Sequence, residues 1–72
     1  MKKTFALRDL DCANCARKME DAVRKLDGVE AVSISFLSQK LTLTAADDRF
    51  DDVLNQVAKT CKRVEPDCEI LR

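Results

Sequence analysis

Thr4-Phe5-Ala6-Leu7-Arg8-Asp9-Leu10-Asp11-Cys12-Ala13-Asn14-Cys15-Ala16 changes its periodicity halfway along. From Thr4 to Leu10, Phe5 and Leu7 alternate with Thr4, Ala6 and Arg8, the period-two pattern of a strand with one buried face. Asp11-Cys12-Ala13-Asn14 reads as a polar turn. Beyond it Ala16, Met19, Val23 and Leu26 recur at steps of three and four up to Asp27-Gly28. That spacing predicts an amphipathic helix from about Cys15 to Leu26, closed by Gly28 in a left-handed C-cap. A C-x-x-C pair therefore stands where a strand hands over to a helix.

The pattern continues on both sides of a short link, Leu37-Ser38-Gln39. Val32, Ile34 and Phe36 alternate with small polar residues, then Leu41 and Leu43 alternate with Lys40, Thr42 and Thr44, which predicts an antiparallel hairpin. Phe50, Val53, Leu54, Val57, Cys61 and Val64 follow at helical spacing. Asp47 or Asp48 is expected to cap this helix, with Asp51 and Asp52 complementing the dipole in its first turn. Pro66 ends the helix, and Cys68 and Ile70 mark a short last strand. The resulting order, βαββαβ, predicts an α+β ferredoxin-like sandwich in which two helices cover one face of a four-stranded antiparallel sheet.

Composition narrows the function. Seventy-two residues allow one domain, 1–72, and a chain of this size buries only about 60% of the surface its unfolded state exposes. Thirteen basic and thirteen acidic residues cancel, so no net field recruits nucleic acid or anionic lipid. No apolar run approaches the roughly 20 residues of a membrane span, and the opening residues lack a signal-peptide core, so a cytoplasmic location is expected. In a reducing compartment cysteines serve more often as metal ligands or redox groups than as disulfides. The helix start beside Cys12 and Cys15 stabilises thiolates, which both chemistries require, and the spacing alone leaves the two open. With no histidine present, a soft-metal site must be built from thiolates, carboxylates and water.

Leu10-Asp11-Cys12-Ala13-Asn14-Cys15-Ala16, with the element order and the length, resembles the heavy-metal-associated domain family. The similarity extends to Asp27-Gly28-Val29 and to Val64-Glu65-Pro66-Asp67, a close resembling the amino-terminal domains of bacterial zinc/cadmium/lead-transporting P-type ATPases. Copper-handling members usually carry Gly-Met-Thr ahead of the first cysteine, where this chain has Asp9-Leu10-Asp11. The resemblance implies that Cys12 and Cys15 bind a soft or borderline ion, and Asp11 matches the acidic residue of the zinc/cadmium/lead branch. It also implies that the partners are the membrane-embedded and cytosolic domains of a P-type ATPase in an inner or plasma membrane. The chain has neither an Asp-Lys-Thr-Gly phosphorylation motif nor a span, so it is expected to deliver ions or regulate rather than catalyse.

Ligand chemistry favours the same ions. Two thiolates satisfy linear Cu(I), whereas Zn(II), Cd(II) or Pb(II) takes further donors, about four in all for zinc. A carboxylate from Asp11 adds one, and its hard oxygen and extra charge work against Cu(I). Asp11 also suits a helix cap. Two rival functions share the cysteine pair: a free-standing metallochaperone that carries Cu(I), and a small thiol–disulfide oxidoreductase with Cys12 as nucleophile. The second is disfavoured because the chain is short for a thioredoxin-like fold and has no Trp beside the pair.

The other candidate groups have plainer roles. Cys61 lies on the apolar stripe of the second helix and Cys68 on the apolar face of the last strand, so core packing is expected of both. A metal role for Cys61 remains open if the helix end approaches the first loop. Met19 is expected to fill core space rather than ligate. Lys62 and Arg63 fit a solvated last turn, with positive potential near the thiolates as the alternative. Asp47, Asp48, Asp51 and Asp52 fit a helix start better than a second cation site.

Overall fold

The structure, a computed structural model, describes residues 1–10 and 12–71. The alternating segments form β1 (Lys2–Arg8), β2 (Val29–Ser35), β3 (Lys40–Ala45) and β4 (Glu69–Leu71), and the periodic ones form α1 (Ala13–Arg24) and α2 (Phe50–Val64). A single 3-10 turn, Asp47–Arg49, leads into α2. The strands join one antiparallel sheet in the order β2-β3-β1-β4. Both helices pack on one face, completing the ferredoxin-like arrangement that the sequence predicts.

Alternation along the strands divides the sheet into a dry face and a wet one. Leu7, Leu41, Leu43 and Ala45 turn inward against Met19 and Val23 of α1 and Phe50, Val53 and Val57 of α2. On the other face the Thr4 and Thr42 hydroxyls, opposite one another in the register, hydrogen-bond at 3.0 Å. Removing a core side chain of the size of Met19 or Leu41 from water contributes about 1.5–3 kcal/mol. Phe5 and Phe50 stack with ring centroids 6.4 Å apart, tying β1 to the start of α2.

Three local features differ from the sequence expectation. First, α1 begins at Ala13 rather than Cys15, because the Ala16 amide donates to the Cys12 carbonyl at 3.1 Å and closes the first turn early. It also ends at Arg24, with Lys25 as a right-handed C-cap, so Gly28 is not the cap. Gly28 instead turns the chain into β2 at a φ of 94°, where a Cβ would lie 2.8 Å from Cγ2 of Val53; left-handed backbone and close packing both demand glycine. Second, neither Asp47 nor Asp48 caps α2. Ala46 caps the 3-10 turn and Arg49 caps α2, both without a side-chain bond, while Asp51 and Asp52 do occupy the first turn of α2. Third, β1 spans Lys2–Arg8 rather than reaching Leu10. Asp9 turns the chain at a φ of 61° and drops the Leu10 side chain, 3% exposed, into the core.

Candidate metal site

The chain leaves the sheet after Arg8 and reaches the start of α1 within four residues, so the thiols lie at one end of the molecule. Cys12 is the N-cap of α1, in extended conformation at φ −145° and ψ 132°, and Cys15 sits in the first helical turn. Both are half-buried. Asp11, expected from the sequence to complete the donor set, lies outside the described residues.

The two thiols are electrostatically unequal. In extended geometry Cys12 makes no capping hydrogen bond of standard form, but its sulfur faces the first amides of α1. The backbone N–H of Cys15, the Cys15 thiol and the backbone N–H of Asn14 favour its thiolate, with a smaller contribution from Lys18, and its pKa lies below the ordinary 9.0. This is the effect of a helix N-terminus on a thiol. Cys15 behaves oppositely: the nearby Glu65 carboxylate, then the Cys12 sulfur, favour its protonated form, and its pKa is pushed up to about 12. The pair therefore titrates as a unit, holding one proton more firmly than two separate thiols would.

Glu65 is the residue that the sequence reading missed. It is the C-cap of α2, half-buried, with its amide donating 2.8 Å to the Cys61 carbonyl. Pro66 stops the helix there and the chain turns back towards β4, which leaves the Glu65 side chain facing Cys15. The available sequence signal was Glu65 within Val64-Glu65-Pro66-Asp67, which the resemblance picked out without a role and which does not reveal what lies across the gap. Among the described residues no three Cys, Asp or Glu side chains stand close enough together to hold a metal ion, so Cys12, Cys15 and Glu65 are not a pre-formed cage.

The remaining candidates fall elsewhere. Cys61 and Cys68 are each 1% exposed in the core. Burial and the neighbouring Cys68 push the Cys61 thiol up to about 12. Met19 is fully buried, as its position on the apolar stripe implies. Lys62 and Arg63 occupy the last turn of α2, and the cation that acts on Cys12 is Lys18 of α1. No helix among the described residues is long and apolar enough to cross a membrane.

Comparison with known proteins agrees with this geometry. The profile of the heavy-metal-associated domain matches residues 4–63. The chain is 35% identical over 66 residues to the cadmium, zinc and cobalt-transporting ATPase of Bacillus subtilis (strain 168), covering 92% of this chain and 9% of that protein. It is 46% identical over 56 residues to the zinc/cadmium/lead-transporting P-type ATPase of Shigella sonnei (strain Ss046), covering 78% of this chain and 8% of that protein. Against the copper chaperone CopZ of Enterococcus hirae it is 25% identical over 64 residues, 89% of this chain and 86% of that one. Among solved structures it superposes on the N-terminal domain of ZntA in the Zn(II) form with a TM-score of 0.74 at 32% identity, over 96% of this chain and 86% of that one. The chain thus spans less than a tenth of the length of the two transporters. With a profile match over most of its length and a βαββαβ fold that sets Cys12 and Cys15 at the start of α1, the chain belongs to the heavy-metal-associated domain family.

Proposed function

We propose that this domain takes up Zn(II), Cd(II) or Pb(II) through Cys12 and Cys15, with carboxylate donors from Asp11 and Glu65, and passes the ion on within a P-type metal-exporting ATPase. What supports the reading is the half-buried cysteine pair at the start of α1, with the Glu65 carboxylate near enough to Cys15 to hold its thiol in the protonated form. A divalent ion replaces the shared proton, and uptake is accordingly coupled to proton release. The sign follows from the thiols: protons compete with the ion for sulfur, so apparent affinity rises with pH. A group with open positions lets an acceptor enter before the donor leaves, which suits transfer better than permanent storage.

The transporters among the relatives support a pump as the setting. In this reading the domain lies on the cytoplasmic side of that pump. The likeness to a copper chaperone supports the second reading, a free-standing carrier of Cu(I) held by the two sulfurs alone. Anaerobic competition among Zn(II), Cd(II), Pb(II) and Cu(I) separates the two, using the wild type, Asp11→Asn and Glu65→Gln. Divalent affinity is expected to fall in at least one variant while Cu(I) affinity holds or rises. Divalent affinity unchanged in both variants removes the carboxylates from the site and favours the copper carrier.

A further inference from the structure

We propose that Gln39, in the turn between β2 and β3, is a positioning residue that holds the backbone carrying the Cys12–Cys15 loop. The proposal rests on the reading of Cys12 and Cys15 as the metal donors.

The need for such a residue follows from where the sheet stops. Pairing of β1 with β3 ends at Ala6 opposite Lys40, and pairing with β4 ends at Arg8 opposite Glu69. The next residues, Asp9 and Leu10, lead straight into the thiol loop, and Leu10 is buried, so its peptide groups need protein partners. Gln39 supplies them. Its backbone carbonyl first extends the ladder by accepting from the Leu7 amide at 2.7 Å. Its side-chain amide then pairs with Leu10 in both directions: Oε1 accepts from the Leu10 N–H at 3.2 Å, and Nε2 donates to the Leu10 carbonyl at 2.8 Å. Nε2 also donates to the Phe36 carbonyl at 2.9 Å, which anchors the amide to its own turn. The carboxamide thereby acts as one more strand residue, placed two positions before Cys12 and 29 positions away in sequence from Leu10.

The backbone of Gln39 supports this role. Its φ is 56°, in the left-handed region where glycine or asparagine is the less strained choice. A turn selected for backbone ease alone would carry one of those residues. Glycine has no side chain, and asparagine is one methylene shorter than the clamp requires. A strained glutamine that makes three side-chain hydrogen bonds at the root of the thiol loop trades backbone comfort for the fixed position of that loop.

Gln39→Gly and Gln39→Asn each relieve the left-handed strain while removing the clamp, so a loss of affinity in them does not come from added backbone strain. Cd(II) affinity is read by competition with a chelator under anaerobic conditions, at a temperature where every variant is folded by circular dichroism. Exchange of the Leu10 amide in the metal-free protein is read by NMR. The expected result is a loss of about tenfold in Cd(II) affinity, the scale of an outer-shell change, with faster Leu10 exchange. Val57→Ala, which trims a fully buried side chain of α2, serves as the destabilised control and is expected to keep wild-type affinity. Affinity in the Gln39 variants no lower than in Val57→Ala overturns the proposal, as does Leu10 exchange at the wild-type rate. A wild type that binds Cd(II) no better than Cys15→Ser overturns the underlying site instead, and Leu10 exchange then reports on the clamp without reference to metal.

Discussion

The molecule holds two pairs of cysteines, and they differ in almost everything but element. Cys12 and Cys15 stand half-exposed at the start of α1, where backbone amides favour one thiolate and a carboxylate faces the other sulfur. Cys61 and Cys68 are each 1% exposed between α2 and the sheet, and burial holds Cys61 in the neutral form up to about pH 12. A thiol is a ligand or nucleophile only as the thiolate, so position in the fold decides which cysteines have chemistry and which are small hydrophobic side chains. The contrast also explains how one short chain carries four thiols yet reads as a single-site protein.

Alkylation offers the widest gap between the pairs. With iodoacetamide at pH 8, Cys12 is expected to react first, while Cys61 and Cys68 wait for unfolding and react about a thousandfold or more slowly. Mass mapping of the labelled peptides checks this, and early labelling of Cys61 would erase the distinction. Replacement with serine is the next largest effect. Cys12→Ser or Cys15→Ser is expected to lower Cd(II) affinity about 100-fold or more with little change in stability. Cys61→Ser is expected to do the reverse, costing about 1–3 kcal/mol for a hydroxyl buried in an apolar site and leaving the affinity of the folded protein intact. Chemical denaturation paired with chelator competition reads both.

A smaller effect appears at high pH. Because folding raises the Cys61 pKa from 9.0 to about 12, the fold favours the neutral thiol. That contribution is complete below about pH 9 and is lost as pH rises through 12. The unfolding free energy of the wild type is therefore expected to fall more steeply between pH 9 and 11 than that of Cys61→Ala. Equal slopes in urea titrations would show that Cys61 is solvated in the folded state.

The sequence carried most of the fold because the strands and helices are strongly periodic. Phe5 and Leu7, Met19 and Val23, and Leu41 and Leu43 announce their buried faces at the spacing their elements require. Boundaries were less legible, since they depend on single backbone events: Asp9 in the left-handed region shortens β1, and one hydrogen bond to the Cys12 carbonyl starts α1 two residues early. The expected aspartate caps failed for the same reason, with a 3-10 turn taking the place of a simple helix start. At the site, Cys12 and Cys15 were legible because they stand three positions apart in one local motif. Glu65 and Gln39 were not, since each acts across the fold on a group more than 25 positions away, and neither residue type forms a local motif.

The central claim is that a divalent ion meets two sulfurs and carboxylate oxygen at one end of the chain, with the core thiols uninvolved. X-ray absorption at the cadmium edge tests this most directly, on protein loaded with one Cd(II) per chain and shown by sedimentation to be monomeric. The account predicts two sulfur scatterers with oxygen completing the shell, and loss of both sulfurs in the Cys12→Ser, Cys15→Ser double variant. Three or four sulfur scatterers in the monomer would place Cys61 or Cys68 in the site and contradict the division between the two pairs.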